Sequence, residues 1–531
     1  MKLGTPDCGP AAVIAAAAAA AAVLLAASAY AQIEIKSAAP APRITAMTEG
    51  PPLVAIDWSE VIATSKLNAT TQSGTVAQGP MHDKIYQALN DFGAQYPRWQ
   101  MWGGGAKDPT LGVAEKQPPK DGVSSWDFSQ IDPSFTEFVK AVQGHPFVVN
   151  LEMTPEWMYA PDASIANDPR GPIARVAVRR RMTATPEQFG EYYARTLSWW
   201  EKGGLTDEFG KWHESGHHFK IPYWEVLNER DMPGMAPAEY TVLYDATVEA
   251  VRKVDPDIKF VGLALATPQN SPEYLTYFLD PKNHKPGIPL DVITYHFYAR
   301  YGPSEPAPVQ VSTAFDQATA FINTAKAINA IRDKLSPSTR TMVNEMGTLI
   351  GTEAPQVPWP ADRLGDIPFH LRISAAMYAY LYGNLAPLGV EAAGQSTFGA
   401  AGGKVGAYSA CSMLNAVTGT PNIRYKVAKL MMAEFPPGSK IAHSYTGIGI
   451  WRNPFPVYVQ AFIAPDGKHK VLIVNKRDVP DGAIIPGAKG GHIRYLGTDL
   501  DVDSQYKDRA AEADRITLSG LEVAILTMPG A

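Results

Sequence analysis

The chain has 531 residues, 45% of them hydrophobic and 19% charged, with a formal net charge of −6. That length is too great for one ordinary core, and fits two or three domains or a large α/β barrel with an appendage. The mild acidic balance is scattered along the chain without a basic stripe, which excludes a nucleic-acid partner.

Residues 1–31 read as a secretory signal peptide. AAVIAAAAAAAAVLLAA (11–27) is short and weakly apolar for a membrane anchor, and Ala29-Tyr30-Ala31 follows it as a small-residue cleavage site. The expectation is a secreted or periplasmic protein with no membrane attachment beyond the removed segment. Cys8 leaves with that segment and Cys411 then stands alone, so the mature chain forms no internal disulfide. Residues 32–51 are rich in Ala and Pro and read as a linker or as a strand added to a β domain.

From residue 52 onward short apolar runs alternate with longer stretches of helical period. The strand candidates are VAIDWSEVI, QYPRWQM, PFVVNLEM, PYWEVLNE, IKFVGLALA, DVITYHFYA, RTMVNEMGT and GVEAAGQSTF. Between and after them lie HDKIYQALNDF, PSFTEFVKAV, EQFGEYYARTLSWWEK, AEYTVLYDATVEAVRKV, SPEYLTYFL, FDQATAFINTAKAINAIRDKL, LRISAAMYAYLYG and RYKVAKLMMAEF. Eight strands each followed by a helix predict a (β/α)8 barrel over residues 52–436. An open doubly wound sheet would need a phosphate-binding turn, and WGGGAK (102–107) has neither GxGxxG nor GK[ST]. Beyond residue 437 short alternating runs split by Gly, Pro and Asp replace the helices, which predicts a β-sandwich over 437–531.

Barrel chemistry sits at the C-terminal ends of the strands. The fourth expected strand ends in Asn228-Glu229 and the seventh in Asn344-Glu345, so two carboxylates would face each other across the barrel mouth. Glycoside hydrolysis needs such a pair, about 5 to 5.5 Å apart in a retaining enzyme and about 6.5 Å or more in an inverting one. Glu225 reads as a satisfied interior group, and Glu152 as a wall of the pocket. His296 and Tyr298 share one face of the sixth strand. From there the phenol reaches the strand-seven carboxylate, while the imidazole reaches the acid or sugar hydroxyls.

Taken in order, these residues resemble a known family. WDFSQIDPSFTEFVKAVQGHPFVVNLEMTPEWM, YWEVLNERDM with AEYTVLYDATVEAVRKVDP behind it, DVITYHFYA and VNEMGTL resemble glycoside hydrolase family 39 over roughly residues 85–436. That family holds β-xylosidases and α-L-iduronidases within the clan of retaining (β/α)8 glycosidases. The resemblance implies that Glu229 is the general acid/base and Glu345 the nucleophile. It implies that Asn228 contacts the sugar 2-hydroxyl, and that Arg98, His296 and Tyr298 complete the −1 pocket. Trp157 would then be a stacking wall. A carbohydrate substrate is implied, and no metal or cofactor. The chain departs from the family where Arg230 replaces the usual Pro, where Asn344-Glu345-Met346 replaces Thr-Glu-Trp, and where no Trp stands near Gln395. Arg230 and Met346 motivate a competing reading, a sugar-binding protein on a barrel without catalysis.

Two further motifs need placing. HESGH (213–217) matches the zinc-protease pattern, but Ser215 and Gly216 are poor helix formers and no third ligand follows, so it reads as a solvated loop. Arg175, Arg179, Arg180 and Arg181 lie in the long connection after the third strand, which reads as a solvated charged loop, or else as a rim that receives a uronate or an acidic polysaccharide. The oligomeric state, the sugar and the mode of attack are not written in the sequence.

Overall fold

The computed structural model describes residues 53–73, 82–100, 113–152, 154–161, 181–232, 234–350, 367–399, 411–415, 418–446 and 455–530. The expected signal peptide, residues 32–51, WGGGAK, and Arg175, Arg179 and Arg180 lie outside them. Among the described residues no helix is long and apolar enough to cross a membrane.

Eight parallel strands close into a barrel: β2 (Asn68–Ser73), β3 (Arg98–Gln100), β4 (Val148–Asn150), β7 (Tyr223–Glu225), β8 (Lys259–Leu265), β9 (Val292–Tyr301), β10 (Arg340–Ile350) and β11 (Ala392–Gln395). The strands β5 (Gly204–Thr206) and β6 (Trp212–Glu214) form a separate hairpin before β7. Around the barrel run α1 (His82–Phe92), α2 (Asp132–Ala141), α3 (Pro186–Glu201), α4 (Pro237–Val254), α5 (Pro272–Phe278), α6 (Ala307–Leu335), α7 (Ile367–Leu385) and α8 (Ile423–Glu434). Local signals set their ends. A capping box between Thr185 and Gln188 opens α3. The helix α6 starts earlier than the apolar period suggests, because Pro308 falls in its first turn, where a missing N–H costs nothing.

One expectation is corrected. VAIDWSEVI is not the first barrel strand: β1 (Val54–Thr64) pairs antiparallel with β12 (Lys440–Thr446) at the edge of the C-terminal sheet. Its first residues alternate, with Val54 buried and Ala55 and Asp57 exposed, as in a half-solvated antiparallel strand rather than one covered on both faces. The true first strand, NATTQS, has no apolar run at all. Its Thr70, Thr71 and Gln72 are nonetheless buried, and Thr71 Oγ1 donates to the Gln395 carbonyl at 3.0 Å. At Thr71 a hydrogen bond across the closed barrel takes the place of hydrophobicity.

The remaining strands are β13 (Val457–Ile463), β14 (His469–Asn475), β15 (Asp481–Ile484), β16 (His492–Leu496), β17 (Lys507–Ala510), β18 (Arg515–Leu518) and β19 (Val523–Thr527). They form a seven-stranded antiparallel sheet in the order β1-β12-β13-β14-β19-β16-β17, with β15 and β18 as a separate pair. Val54, Val459, Ile473, Ile493, Ile516 and Leu526 fill the space between these layers. The other face of the large sheet does not end a domain. Phe462, Leu472, Val474, Val523 and Ile525 belong to the same continuous apolar cluster as the barrel helices. At the contact Gly383 of α7 leaves room for Tyr458, whose hydroxyl would stand 2.6 Å from an added Cβ.

Candidate active site

The barrel interior is apolar at one end and polar at the other. Val148, Val261, Val292, Met342 and Ala392 plug the N-terminal end. Above them, toward the C-terminal ends of the strands, Arg98, Gln100, Asn150, Glu225, Thr294, His296, Asn344 and Glu345 are all buried. Buried charges are tolerable only when paired and hydrogen-bonded, and this set pairs internally.

Glu225 is the hub. One of its oxygens accepts from Arg98 Nε at 2.5 Å and Asn150 Nδ2 at 3.0 Å. The other accepts from Thr294 Oγ1 at 2.6 Å and Asn344 Nδ2 at 2.8 Å. It is thus the satisfied interior carboxylate expected of it. The remaining donors of Arg98 hold the site together: Nη1 binds Glu345 Oε1 at 2.5 Å and Gln100 Oε1 at 3.1 Å, and Nη2 binds Asn228 Oδ1 at 2.7 Å.

Backbone irregularities aim the two acids. Between Val343 and Glu345 the register of β10 against β9 slips, so Asn344 is the extra residue of a bulge. Without it, alternation would send Asn344 and Glu345 to opposite faces; with it, one reaches Glu225 and the other the pocket. After β7, Leu227 and Glu229 adopt φ of +61° and +52°. Non-glycine residues in that region carry strain of about 1–3 kcal/mol, which a surrounding structure must hold in place. Here the Glu229 N–H donates to the Ala264 carbonyl at 3.0 Å, and Ala264 is itself at φ +44°.

Glu229 and Glu345 come together. With His296, each offers an atom lying within 4.8 Å of the other two. His296 Nδ1 sits 2.8 Å from Glu229 Oε1 and 3.6 Å from Glu345 Oε2, and Tyr298 donates its hydroxyl to Glu345 Oε2 at 2.7 Å. The two acids differ in their surroundings. Burial works against a charge on Glu345, but His296, Arg98 and the Tyr298 hydrogen bond together outweigh it and hold this carboxyl below its ordinary value. Burial also opposes a charge on His296, and the neighbouring Glu345 and Glu229 overcome it, raising the imidazole. The Glu229 side chain is 20% exposed and Glu345 7%, so Glu229 is the one open toward solvent.

Glu229, His296 and Glu345 have the composition of a metal site, but both Glu345 oxygens are already engaged, and a guanidinium 2.5 Å from one of them opposes a cation. HESGH is no metal site either. His213 lies on β6 and pairs with Asp207 at 2.8 Å, while His217 pairs with Asp132 at 3.1 Å.

Of the other residues singled out, Asn228 and Glu152 lie buried at the cluster. Glu152 Oε2 accepts from Gln100 Nε2 at 2.5 Å. Trp157 sits half-buried in the one-turn helix Glu156–Met158, packed on the barrel core, without a hydrogen bond to the carboxyl groups. Gln100, Asn150 and Thr294 escaped sequence reasoning. Each is a polar residue inside a strand run, and that interruption was the available signal.

No family model and no curated protein sequence matches the chain. Solved structures do. A GH51 arabinofuranosidase from Xanthomonas axonopodis pv. citri aligns over 90% of this chain and 100% of its own, with TM-score 0.59 and 12% identity. The fold shared with it is a (β/α)8 barrel with a C-terminal β domain. The catalytic domain of GH30 xylanase C from Talaromyces cellulolyticus covers 90% and 99%, with TM-score 0.55 and 11% identity. A glucosidase from Croceicoccus marinus covers 90% and 98%, with TM-score 0.54 and 15% identity. The family numbers of these neighbours are 51 and 30 where one is given, so they share with the resemblance noted above the barrel architecture rather than family 39.

Proposed function

We propose that the protein is an exported retaining glycoside hydrolase in which Glu345 is the nucleophile and Glu229 the acid/base. The observation that carries this reading is the asymmetry of two adjacent carboxyl groups. Glu345 is held ionised by Arg98, Tyr298 and His296, whereas among the described residues Glu229 has His296 as its hydrogen-bond partner and opens more to solvent. One oxygen of each lies within 4.8 Å of one of the other, nearer the retaining spacing of about 5 to 5.5 Å than the roughly 6.5 Å or more of inverting enzymes.

In the first step Glu345 attacks the anomeric carbon, the glycosidic bond breaks, and its oxygen leaves with the Glu229 proton. In the second, water gives its proton to Glu229 and its oxygen displaces Glu345. Asn228, with its carbonyl fixed by Arg98, turns its amide toward a sugar hydroxyl. A pentose such as xylose or arabinose is the favoured glycone, since the neighbours include proteins described as arabinofuranosidases and xylanases. Family 39 is the finer placement, supported by the ordered motifs and tempered by Arg230 and Met346. The rival, a sugar-binding protein without catalysis, gives no reason for Arg98 and Tyr298 to activate a carboxylate.

Intact mass after incubation with 2-deoxy-2-fluoro xylosides, arabinosides and glucosides tests the assignment. One adduct on the wild type, absent from Glu345→Gln, is expected; no adduct with any sugar and no turnover of glycans would refute it.

A further inference from the structure

The double displacement leaves one carboxyl group at the site without a task. Glu152 follows the end of β4 and is 2% exposed. Its Oε2 accepts from Gln100 Nε2, Gln100 Oε1 accepts from Arg98 Nη1, and that same nitrogen holds Glu345. Glu152 therefore stands at the far end of a hydrogen-bonded chain that begins on the nucleophile. Its other oxygen has no partner among the described residues. A ligand hydroxyl arriving beside Glu229 and Glu345 would find that acceptor open.

We propose that Glu152 selects the glycone: its open oxygen takes a sugar hydroxyl, and its charge beside two other carboxyl groups confines the site to neutral sugars. This rests on the glycosidase reading and adds to it the charge class of the substrate. The electrostatics of the site agree. Burial, then the charges of Glu229 and Glu345, push the Glu152 carboxyl up to about 7, against the pull of Arg230 and Arg98. A uronate carboxylate would enter as one more like charge. The donors of Arg98 are taken by Glu225, Glu345, Gln100 and Asn228. Arg230 stands where the family usually has Pro, and it approaches from the barrel wall, donating to the Glu152 carbonyl at 3.4 Å and biasing Tyr193, Tyr240 and Tyr274 behind it. Arg230 thus touches the Glu152 backbone, and its charge works on the Glu152 carboxyl itself.

A hydroxyl donating to Glu152 favours its ionised form, so binding of a neutral sugar should release a proton near neutral pH and tighten as pH rises. The test is calorimetry on the full-length wild type and Glu152→Gln with D-xylose, L-arabinose, D-glucose and D-glucuronate, at pH 6 and pH 8 in two buffers. One neutral sugar should bind about fivefold more tightly at pH 8 than at pH 6, as expected for a carboxyl lowered by about one pKa unit from about 7. Its proton release should vanish in Glu152→Gln, and D-glucuronate should bind at least about tenfold more weakly than that sugar. Should Glu152→Gln fail to fold, Glu152→Asp keeps the charge and should retain the proton release with weaker binding. Tighter binding of D-glucuronate, or unchanged affinity and proton release in Glu152→Gln, would overturn the proposal. Labelling of Glu345 alongside either result would leave the glycosidase reading standing. No labelling together with no sugar binding would sink both.

Discussion

At the scale of single residues, the site turns on Arg98, which serves two carboxylates from one guanidinium. Replacing it by Met strips Glu225 of this counter-ion and leaves Glu345 with His296 as its cationic neighbour, and breaking such a buried pair costs about 3–5 kcal/mol. Urea titration of Arg98→Met should show that loss, with turnover reduced by more than the roughly hundredfold typical of losing one stabilising donor. Tyr298→Phe is milder. It removes one hydrogen bond that holds Glu345 ionised, so the Glu345 pKa rises and the acid limb of kcat/KM moves to higher pH. An unmoved limb in that variant would mean that Glu345 is not the titrating nucleophile. Glu229 and Glu345 were legible because each ends an apolar run with Asn-Glu. Gln100, Asn150 and Thr294 were not, because their partners are fixed by closure of the barrel, which brings together residues far apart in the chain.

At the scale of elements, the strands divide into those that hydrophobicity announces and one that it hides. Seven barrel strands coincide with apolar runs, whereas β2 is a polar strand and the apolar segment before it went elsewhere. A barrel interior filled with carboxyl, amide and hydroxyl groups can bury Thr70, Thr71 and Gln72 without an apolar signature. The bulge at Asn344 was equally invisible, since it depends on what lies across from it. On the neighbouring strand Gly394 presses against that bulge, and a Cβ there would stand 2.6 Å from the Asn344 carbonyl oxygen. Gly394→Ala must therefore displace β10 where Glu345 sits. Overpacking of this kind costs about 1–3 kcal/mol. Turnover should fall further than stability does, a split readable by comparing kcat with the urea midpoint.

At the scale of the whole molecule, barrel and sheet share one core. The chain from Pro51 to Ala531 forms one compact unit, and the inner face of the β sheet is packed into the barrel's apolar cluster. A chain ended at residue 436 should therefore be insoluble or aggregated on size exclusion, because α7 would present its buried face to water. Away from the site, Glu115 carries an unrelieved load. It is buried with Oε1 unpartnered among the described residues, and burial followed by the charge of Glu208 pushes it up to about 8 from an ordinary 4.5. A carboxyl raised on folding binds its proton more tightly in the native state, so stability declines as pH climbs from about 4.5 to about 8. Glu115→Gln should raise the melting temperature at pH 8.5 and leave it nearly unchanged at pH 5. The two-part architecture was legible as a change of texture near residue 437; the shared core was not, because it is a property of packed faces.

The pairing of β1 with β12 also sets a timetable. Val54–Thr64 emerges from the ribosome before any barrel strand, yet its partner follows roughly 380 residues later. At about 5–20 residues per second, that is a wait on the order of twenty seconds to a minute. For that interval the backbone edge of the strand has nothing to bond with, while the barrel assembles behind it. The emergence of β12, late in synthesis, is therefore the step that gives this early strand edge its partner.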